Sequence, residues 1–440
     1  MNDTLNIGIA GLGTVGCGLL TLLQQNSKKF EPILKRNIKV TGVSARDRDK
    51  ARAVDISGLV WFDDAAELAV SPEIDVFVEL IGGEDGIARQ AVEKALRAGK
   101  HVVTANKAML ALHGLELAAL AETHERSLNF EAAIAGGIPI VKTLRETLIG
   151  NEVKKIYGIM NGTCNYILTK MENEGRSYDD VLKEAQDAGY AEADPTFDVG
   201  GHDTAHKLAV LTSLAFGVET SFDSIYLEGI QSIRPQDIEA ADALGYRIKL
   251  LGVSTRTESG IEQRVHPTMI PKHATIAQVD GVTNCVAVEG DFVGEVMLTG
   301  PGAGAGATAS SVMSDIVDIA RNISFPPLAF PAANLRPYVR AKMRAHEGSY
   351  YIRLAVHDRP GAFASIASRM AEQNISLESI VQHWPKDSKG DEKSKEPSEL
   401  MPVILVTHQT NEAAIRKALD AIEADGQIVG PAQMIRIEDL

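Results

Sequence analysis

The chain has few cysteines, a deficit of positive charge and no long apolar run. Cys17, Cys164 and Cys285 are its only three cysteines in 440 residues. An odd, widely spaced set builds neither a disulfide framework nor a zinc cluster, and it suits a reducing, cytoplasmic setting. The net charge of −15 argues against nucleic acid or an anionic membrane as partner. No uninterrupted apolar stretch is long enough to span a bilayer. The opening MNDTLNIGIAGLG has no basic flank and turns glycine-rich at once, so it does not read as a signal peptide. What remains is ordinary for a soluble globular protein, with 45% hydrophobic and 23% charged residues. The length leaves room for two or three domains.

The densest chemistry lies in Gly189–Lys207, GYAEADPTFDVGGHDTAHK. Glu192, Asp194, Asp198 and Asp203 repel one another there, so a cation should sit among them, and a substrate ammonium group is one candidate. Asp203 and Lys207 are four apart and share a helix face with the acid N-terminal, the favoured order. Leu208, Leu211, Leu214 and Ala215 follow at helical spacing. Lys207 thus stands beside a buried stripe. Burial lowers a lysine pKa and a carboxylate raises it, so the group is tunable for proton transfer. The plain alternative is a surface helix carrying an ordinary ion pair.

Earlier in the chain, an apolar strand over 5–10 runs into Gly11-Leu12-Gly13-Thr14-Val15-Gly16 and then a helix. This is G-x-G-x-x-G between strand and helix, where glycines admit a pyrophosphate and the helix N-terminus receives it. A second strand, 38–45, is followed by Arg46, Arg48, Lys50 and Arg52. Guanidinium groups suit a 2′-phosphate, which favours NADP, while Asp47 and Asp49 leave NAD open. Strand 75–83 and a helix lead to strand 101–103, which ends at Thr104-Ala105-Asn106-Lys107. Ligands sit at the carboxyl ends of such strands, so Lys107 should point into the cleft. Residues 127–140 read as a strand entering a glycine pair, whose exposed carbonyls would suit either a hard cation or a simple turn.

Beyond Gly137 the pattern changes. LEGI (227–230) and runs around 248–253 and 261–270 suggest a second, mixed sheet. The loop 300–306, with Gly302 and Gly304, again lies between a strand and a helix, where backbone can approach a ligand; Thr308 is the expected helix cap. Residues 331–348 read as a connector. From Ser349 the order is β-α-β-β-α-β, a ferredoxin-like unit interrupted by a highly charged insert at 386–399 that reads as a disordered loop.

The blocks GLGTVG, TANKA, FEAAIAGGIP, NGTCNYIL, GYAEADPTFDVGGHDTAHK and GPGAGAGATASS, in this order, closely resemble homoserine dehydrogenase. Residues 350–440 resemble an ACT domain with Asp358-Arg359-Pro360-Gly361 at its first turn. The fold then expected is α/β: a Rossmann-type nucleotide-binding domain over 1–136, completed by about 305–340; a central α+β catalytic and dimerisation domain with a mixed sheet over 137–304; and a ferredoxin-like ACT domain over 350–440. The resemblance implies NAD(P)-dependent interconversion of L-homoserine and L-aspartate 4-semialdehyde, on the way to threonine, methionine and isoleucine. It implies Lys107 and Lys207 as the catalytic pair, with Glu192, Asp198 and Asp203 around the substrate. The cofactor is expected on residues 11–16, Arg46, Thr104, Lys107, Gly302 and Gly304, at the strand ends and glycine loops described above. The resemblance maps a sodium ion onto Glu131, Ile134, Gly136 and Ile138. It also implies a homodimer or homotetramer, with L-threonine as candidate effector at the ACT unit. Three rivals stand beside it: an acylating dehydrogenase using Cys164, where threonine or serine is more usual; a metallohydrolase using His202 and His206; and a non-enzymatic redox or amino-acid sensor using the nucleotide and ACT domains alone.

Overall fold

The computed structural model describes residues 4–34, 36–341, 347–382 and 400–440. The charged insert at 386–399 lies outside these described residues.

The first sheet has six strands: β1 (Thr4–Ala10), β2 (Asn37–Ser44), β3 (Val60–Phe62), β4 (Val76–Glu79), β5 (His101–Thr104) and β6 (Leu128–Asn129). They lie in the order β3-β2-β1-β4-β5-β6, all parallel. Parallel strands are covered on both faces, which is why β1 and β4 are apolar with little alternation and β4 is buried throughout. Helix Ile87–Arg97 covers one face with the buried stripe Ala88, Ala91, Val92, Ala95 and Leu96. On the other face, helix Thr14–Leu34 packs Leu19, Leu20 and Leu23 against Val312, Met313 and Ile316 of helix Ala305–Ala320. The chain thus returns late to cover its first sheet. The order reverses between β1 and β4, opening a crevice at their carboxyl ends.

Two local expectations are corrected. Residues 127–140 are mostly not strand: only Leu128–Asn129 pair, and Glu131–Ala135 is a short helix. EAAIA is built largely from good helix formers, and that propensity prevails where the sheet ends. Helix Ala305–Ala320 starts before Thr308, with Gly304 at φ 113° preceding it.

The remaining strands are β7 (Val153–Ile159), β8 (Tyr226–Leu227), β9 (Tyr246–Thr257), β10 (Gly260–Pro271), β11 (Thr283–Gly290), β12 (Gly294–Pro301), β13 (Glu347–His357), β14 (Leu377–Gln382), β15 (Leu400–Thr407), β16 (Thr410–Asn411) and β17 (Gln433–Ile437). LEGI contributes only Leu227 to a strand, the second residue of β8. The main path runs β12-β11-β7-β9-β10-β17-β13-β15-β14. The mixed central sheet and the four-stranded C-terminal sheet are therefore one. The joint is a short parallel pairing, Thr268 with Arg436 and Met269 with Ile437.

Charged groups reinforce this joint. Glu438 accepts from Arg264 at 2.7 Å and faces Lys155 at 3.1 Å. Asp237 accepts from Tyr351 Oη at 3.0 Å and Arg353 Nε at 2.7 Å. The C-terminal unit is held against the central sheet rather than appended to it. Among the described residues, no helix is long and apolar enough to cross a membrane.

Candidate active site

The glycine-rich turn after β1 is shaped by backbone packing. Gly11 has φ 102° and donates to Ser44 O at 2.8 Å; a Cβ there would lie 2.3 Å from Leu80 O. Gly13 differs, since a Cβ there would meet nothing within 4 Å. Its bareness leaves room over the loop, as a pyrophosphate requires. Beside it opens a cavity of about 860 Å³ lined by Gly11, Gly13, Arg46, Lys50 and Arg52. Arg52 is committed to the loop: it donates to backbone carbonyls of Arg48 and Lys50 and lies over Trp61. Arg46 is exposed at the rim and forms no ion pair among the described residues.

Thr104 and Lys107 take different places. Thr104 is fully buried; its hydroxyl donates to Glu79 and accepts from Asn106 N at 3.0 Å. Glu79 also accepts from Ile81 N and Gly82 N. This network fixes the end of β5, and Asn106 caps helix Lys107–Thr123 through Met109 N. Lys107 is thereby held at the helix start, facing a second cavity of about 820 Å³.

Asp198, Asp203, Lys207, Asn161, Gly302 and Gly304 also line that cavity. Helix His202–Phe216 supplies Asp203 and Lys207, and the plain surface-helix alternative fails here. Asp203 is 5% exposed and Lys207 7%. Asp203 Oδ1 meets Lys107 Nζ at 2.8 Å, and its Oδ2 accepts from Lys207 Nζ at 2.8 Å. Lys207 Nζ also donates to Met160 O at 2.6 Å. Asn161 Nδ2 donates to Asp203 at 2.9 Å and Asp198 at 2.8 Å, while its Oδ1 caps the next helix at Cys164 N.

The environment separates the two lysines. Burial pushes Lys207 below the usual lysine value, with Asp203 pulling back and Lys107 adding to the push. Burial also acts on Lys107, but Asp203 and then Asp198 outweigh it and hold that group above the ordinary value. Asp203 is held well below the usual carboxylate range, because the two ammonium groups overcome its burial. Asp198 is raised by burial and by Asp203. The arrangement can keep one lysine charged and exchange a proton through the other.

Three regions of the chain match family models: homoserine dehydrogenase, NAD binding domain, over 11–131; homoserine dehydrogenase over 139–317; and ACT domain over 350–424. A homoserine dehydrogenase of Neisseria gonorrhoeae is 45% identical over 442 residues, covering 99% of each chain. The chain belongs to the homoserine dehydrogenase family. The crystal structure of a homoserine dehydrogenase from Thiobacillus denitrificans superposes with a TM-score of 0.91 at 44% identity, covering 99% of this chain and 98% of that one. A hyperthermophilic archaeal homoserine dehydrogenase in complex with NADPH gives 0.62 at 29% identity, covering 76% of this chain and 100% of its own. The chain is thus an NAD(P)-dependent oxidoreductase of the homoserine dehydrogenase family.

For a homoserine dehydrogenase, the other residues singled out by sequence are informative. Cys164 is buried, with Sγ donating to Asp198 O at 3.3 Å. Burial, then Asp198 and Asp203, push its thiol well above the usual value, the opposite of an activated nucleophile. Cys164→Ser is expected to keep turnover within about threefold; a loss beyond a hundredfold in steady-state assays would reinstate covalent chemistry. His206 lies between Phe197 and Phe222, and burial, then Lys107, lower it to about 4. His202 stacks on Phe197. These are packed rings; among the described residues no group of three His, Cys, Asp or Glu is placed to hold a metal ion.

Glu131 is 1% exposed, and its carboxylate accepts from Val141 N at 2.8 Å and Lys142 N at 2.9 Å. Burial raises it to about 6 against the pull of those two N–H groups. Gly136 turns at φ 58°, pressed against Gly302 O. Glu192 is exposed and lies outside the cavity lining, near Tyr190, which is part of it. Sequence reasoning did not single out Asn161, Met160 or Glu79. Asn161 carried the one usable signal, an N-cap residue between a strand and a helix.

Proposed function

We propose that Lys207 is the acid/base and Lys107 the electrostatic partner in interconverting L-homoserine and L-aspartate 4-semialdehyde. The carrying observation is that both ammonium groups meet on Asp203 while their proton affinities are driven apart. A neutral Lys207 has two N–H bonds, matched by Met160 O and Asp203, and one lone pair left for the substrate hydroxyl. Bound NADP supplies the hydride acceptor, and NADPH the hydride in reverse. In oxidation Lys207 removes the hydroxyl proton, and Lys107 stabilises the developing negative oxygen. In reduction Lys207 returns the proton. Asp198 faces the substrate ammonium group, and Glu192 joins it by turning inward from the surface. NADP reduction measured with homoserine, with a chelator control, tests this reading. Homoserine-independent turnover, or turnover abolished by chelation, would overturn it.

NADP is the preferred nucleotide in this reading, carried on residues 11–16, Lys107, Gly302 and Gly304, with the buried Thr104 holding the end of β5 beneath it. Arg46 at the rim clamps the 2′-phosphate, and the archaeal relative's NADPH supports the choice. Arg46→Ala is expected to raise the KM for NADP roughly tenfold to a hundredfold, the value of one or two charge-assisted hydrogen bonds. The KM for NAD should stay nearly unchanged, and equal effects on both would reduce Arg46 to a surface charge.

In this reading a sodium ion would be held by Glu131, whose carboxylate is buried, and by the main-chain oxygens of Ile134, Gly136 and Ile138, oxygen donors of the kind a hard cation takes. It would supply a fixed positive charge beside Glu131.

The units divide as 1–136 with 305–340, 137–304, and 350–440. The protein works in the cytoplasm as a homodimer or homotetramer, in threonine, methionine and isoleucine biosynthesis. Its ACT unit binds L-threonine, with Gly361 opening helix Ala362–Glu372 to a carboxylate. The continuous sheet through β10 and β17 supports coupling to the catalytic unit. Calorimetry and an activity titration on the full chain should show threonine binding, with a coupling of roughly 1–3 kcal/mol to turnover. No heat and a flat activity curve would leave the unit a structural module.

A further inference from the structure

The edge of the first sheet opposite the cofactor carries a cluster that hydride transfer does not use. Arg36 precedes β2, Lys100 precedes β5, His101 opens β5, and Arg126 lies just before β6. They line a polar cavity of about 230 Å³, with Asp75 as its one acidic residue. In a chain of net charge −15, this is a concentration of the minority charge.

The cations there are not neutralised. Lys100 Nζ donates to Ile74 O at 2.7 Å, and Arg126 Nε to Gly99 O at 2.6 Å, both uncharged acceptors. Arg36 Nε is buried without a hydrogen-bond partner. Among the described residues, none of the three forms an ion pair, and Asp75 Oδ2 is occupied by Asn6 N at 2.8 Å. His101 Nδ1 accepts from Ser127 N at 3.1 Å, so the neutral ring carries its proton on Nε2 and offers a donor. Clamping of loop carbonyls explains one N–H on Lys100 and two on Arg126, whose Nη1 also donates to Glu125 O at 3.0 Å. It leaves Arg36 and the surplus donors without a role.

We propose that this cavity binds a compact, multiply charged oxyanion, phosphate or sulfate, either free or as the terminal group of a small metabolite. Planar guanidinium groups and a lysine converging on one space are the recognition chemistry of tetrahedral oxyanions. The volume holds one such ion with a few waters. Its occupant draws together the starts of β2, β4, β5 and β6 and the end of helix Ala305–Ala320, which reaches the cavity at Ile319 and Asn322. Burial, then Arg126 and Arg36, lower His101 to about 4 against the pull of Asp75, a sign of the same unbalanced positive field.

The test uses the full chain with NADP saturating, so that the dinucleotide cleft is filled. Inorganic phosphate and sulfate are titrated by calorimetry against chloride at equal ionic strength. Binding is expected for the oxyanions and not for chloride, with a higher unfolding temperature and an upward shift of the His101 pKa seen by NMR. Arg36→Gln should weaken binding at least tenfold with unchanged homoserine turnover. Asn322→Asp, an exposed change at the rim, should weaken it too and covers any folding failure of the first variant. A phosphate monoester binding tenfold tighter than inorganic phosphate would make the ligand a metabolite, and equal affinity a free ion. Chloride matching phosphate, or both variants binding as wild type, overturns the site.

Discussion

Lys207→Ala is expected to lower turnover by about two to four orders of magnitude while NADP still binds. The size follows from losing the group proposed to carry the proton. The selectivity follows from position: Lys207 lines the cavity it shares with Lys107 and Asp203, whereas Gly13 and Arg46 line the other. The pH dependence has a fixed sign. Lys207 must be neutral to accept a proton, so homoserine oxidation should fall as pH drops through its depressed pKa. Aldehyde reduction needs the protonated form and should fall as pH rises through the same value. Both limbs should vanish in the variant, leaving a flat residual rate. Steady-state kinetics in both directions, with NADP affinity by fluorescence, checks this. A variant with near-normal turnover removes Lys207 from the mechanism.

The nucleotide-binding half was legible where its strands are apolar runs closed by glycine or a charged loop, as β1, β2 and β4 are, and because G-x-G-x-x-G has meaning only between strand and helix; the three residues of β3 and the two of β6 are too short to leave such a run. The helix of Asp203 and Lys207 was legible through the four-residue spacing of the pair. That spacing could not show how deeply the pair lies, since helix His202–Phe216 is buried nearly all round rather than on one stripe. Asn161 and Met160 act through a cap and a carbonyl, and a backbone acceptor leaves no trace in residue identity. Glu79 falls inside the run read as strand 75–83, and its work needs Thr104 from the neighbouring strand. The continuous sheet was hidden for a similar reason. Two residue pairs between β10 and β17, far apart in sequence, produce no periodic signal. The exposed position of Glu192 was equally invisible, because counting residues along a loop does not say which way a side chain turns.

Asp203→Asn should be the most damaging isosteric change in the protein, lowering stability by about 3–5 kcal/mol and abolishing measurable turnover. Three donors converge on its two oxygens: Lys107 on Oδ1, and Lys207 and Asn161 on Oδ2. An amide offers one acceptor oxygen and one NH2 group. Whichever way it is turned, at least one donor then faces another donor in a buried site. The two lysines also lose their shared counter-charge while held close together. Lys107 should fall from its raised pKa, and Lys207 further below its own, so the division between a fixed cation and a proton carrier collapses. Acid behaviour should change as well. The folded-state pKa of Asp203 is depressed, so its contribution to stability is fully present above the unfolded value of about 3.9 and is lost as pH falls through the folded one. That acid-side loss should be missing from the variant, which starts lower and falls less steeply. Denaturant unfolding at neutral and acid pH, with turnover assayed in parallel, measures both effects. A variant as stable as the parent and retaining even a tenth of its turnover would mean that Asp203 is not the residue that holds the two lysines in place.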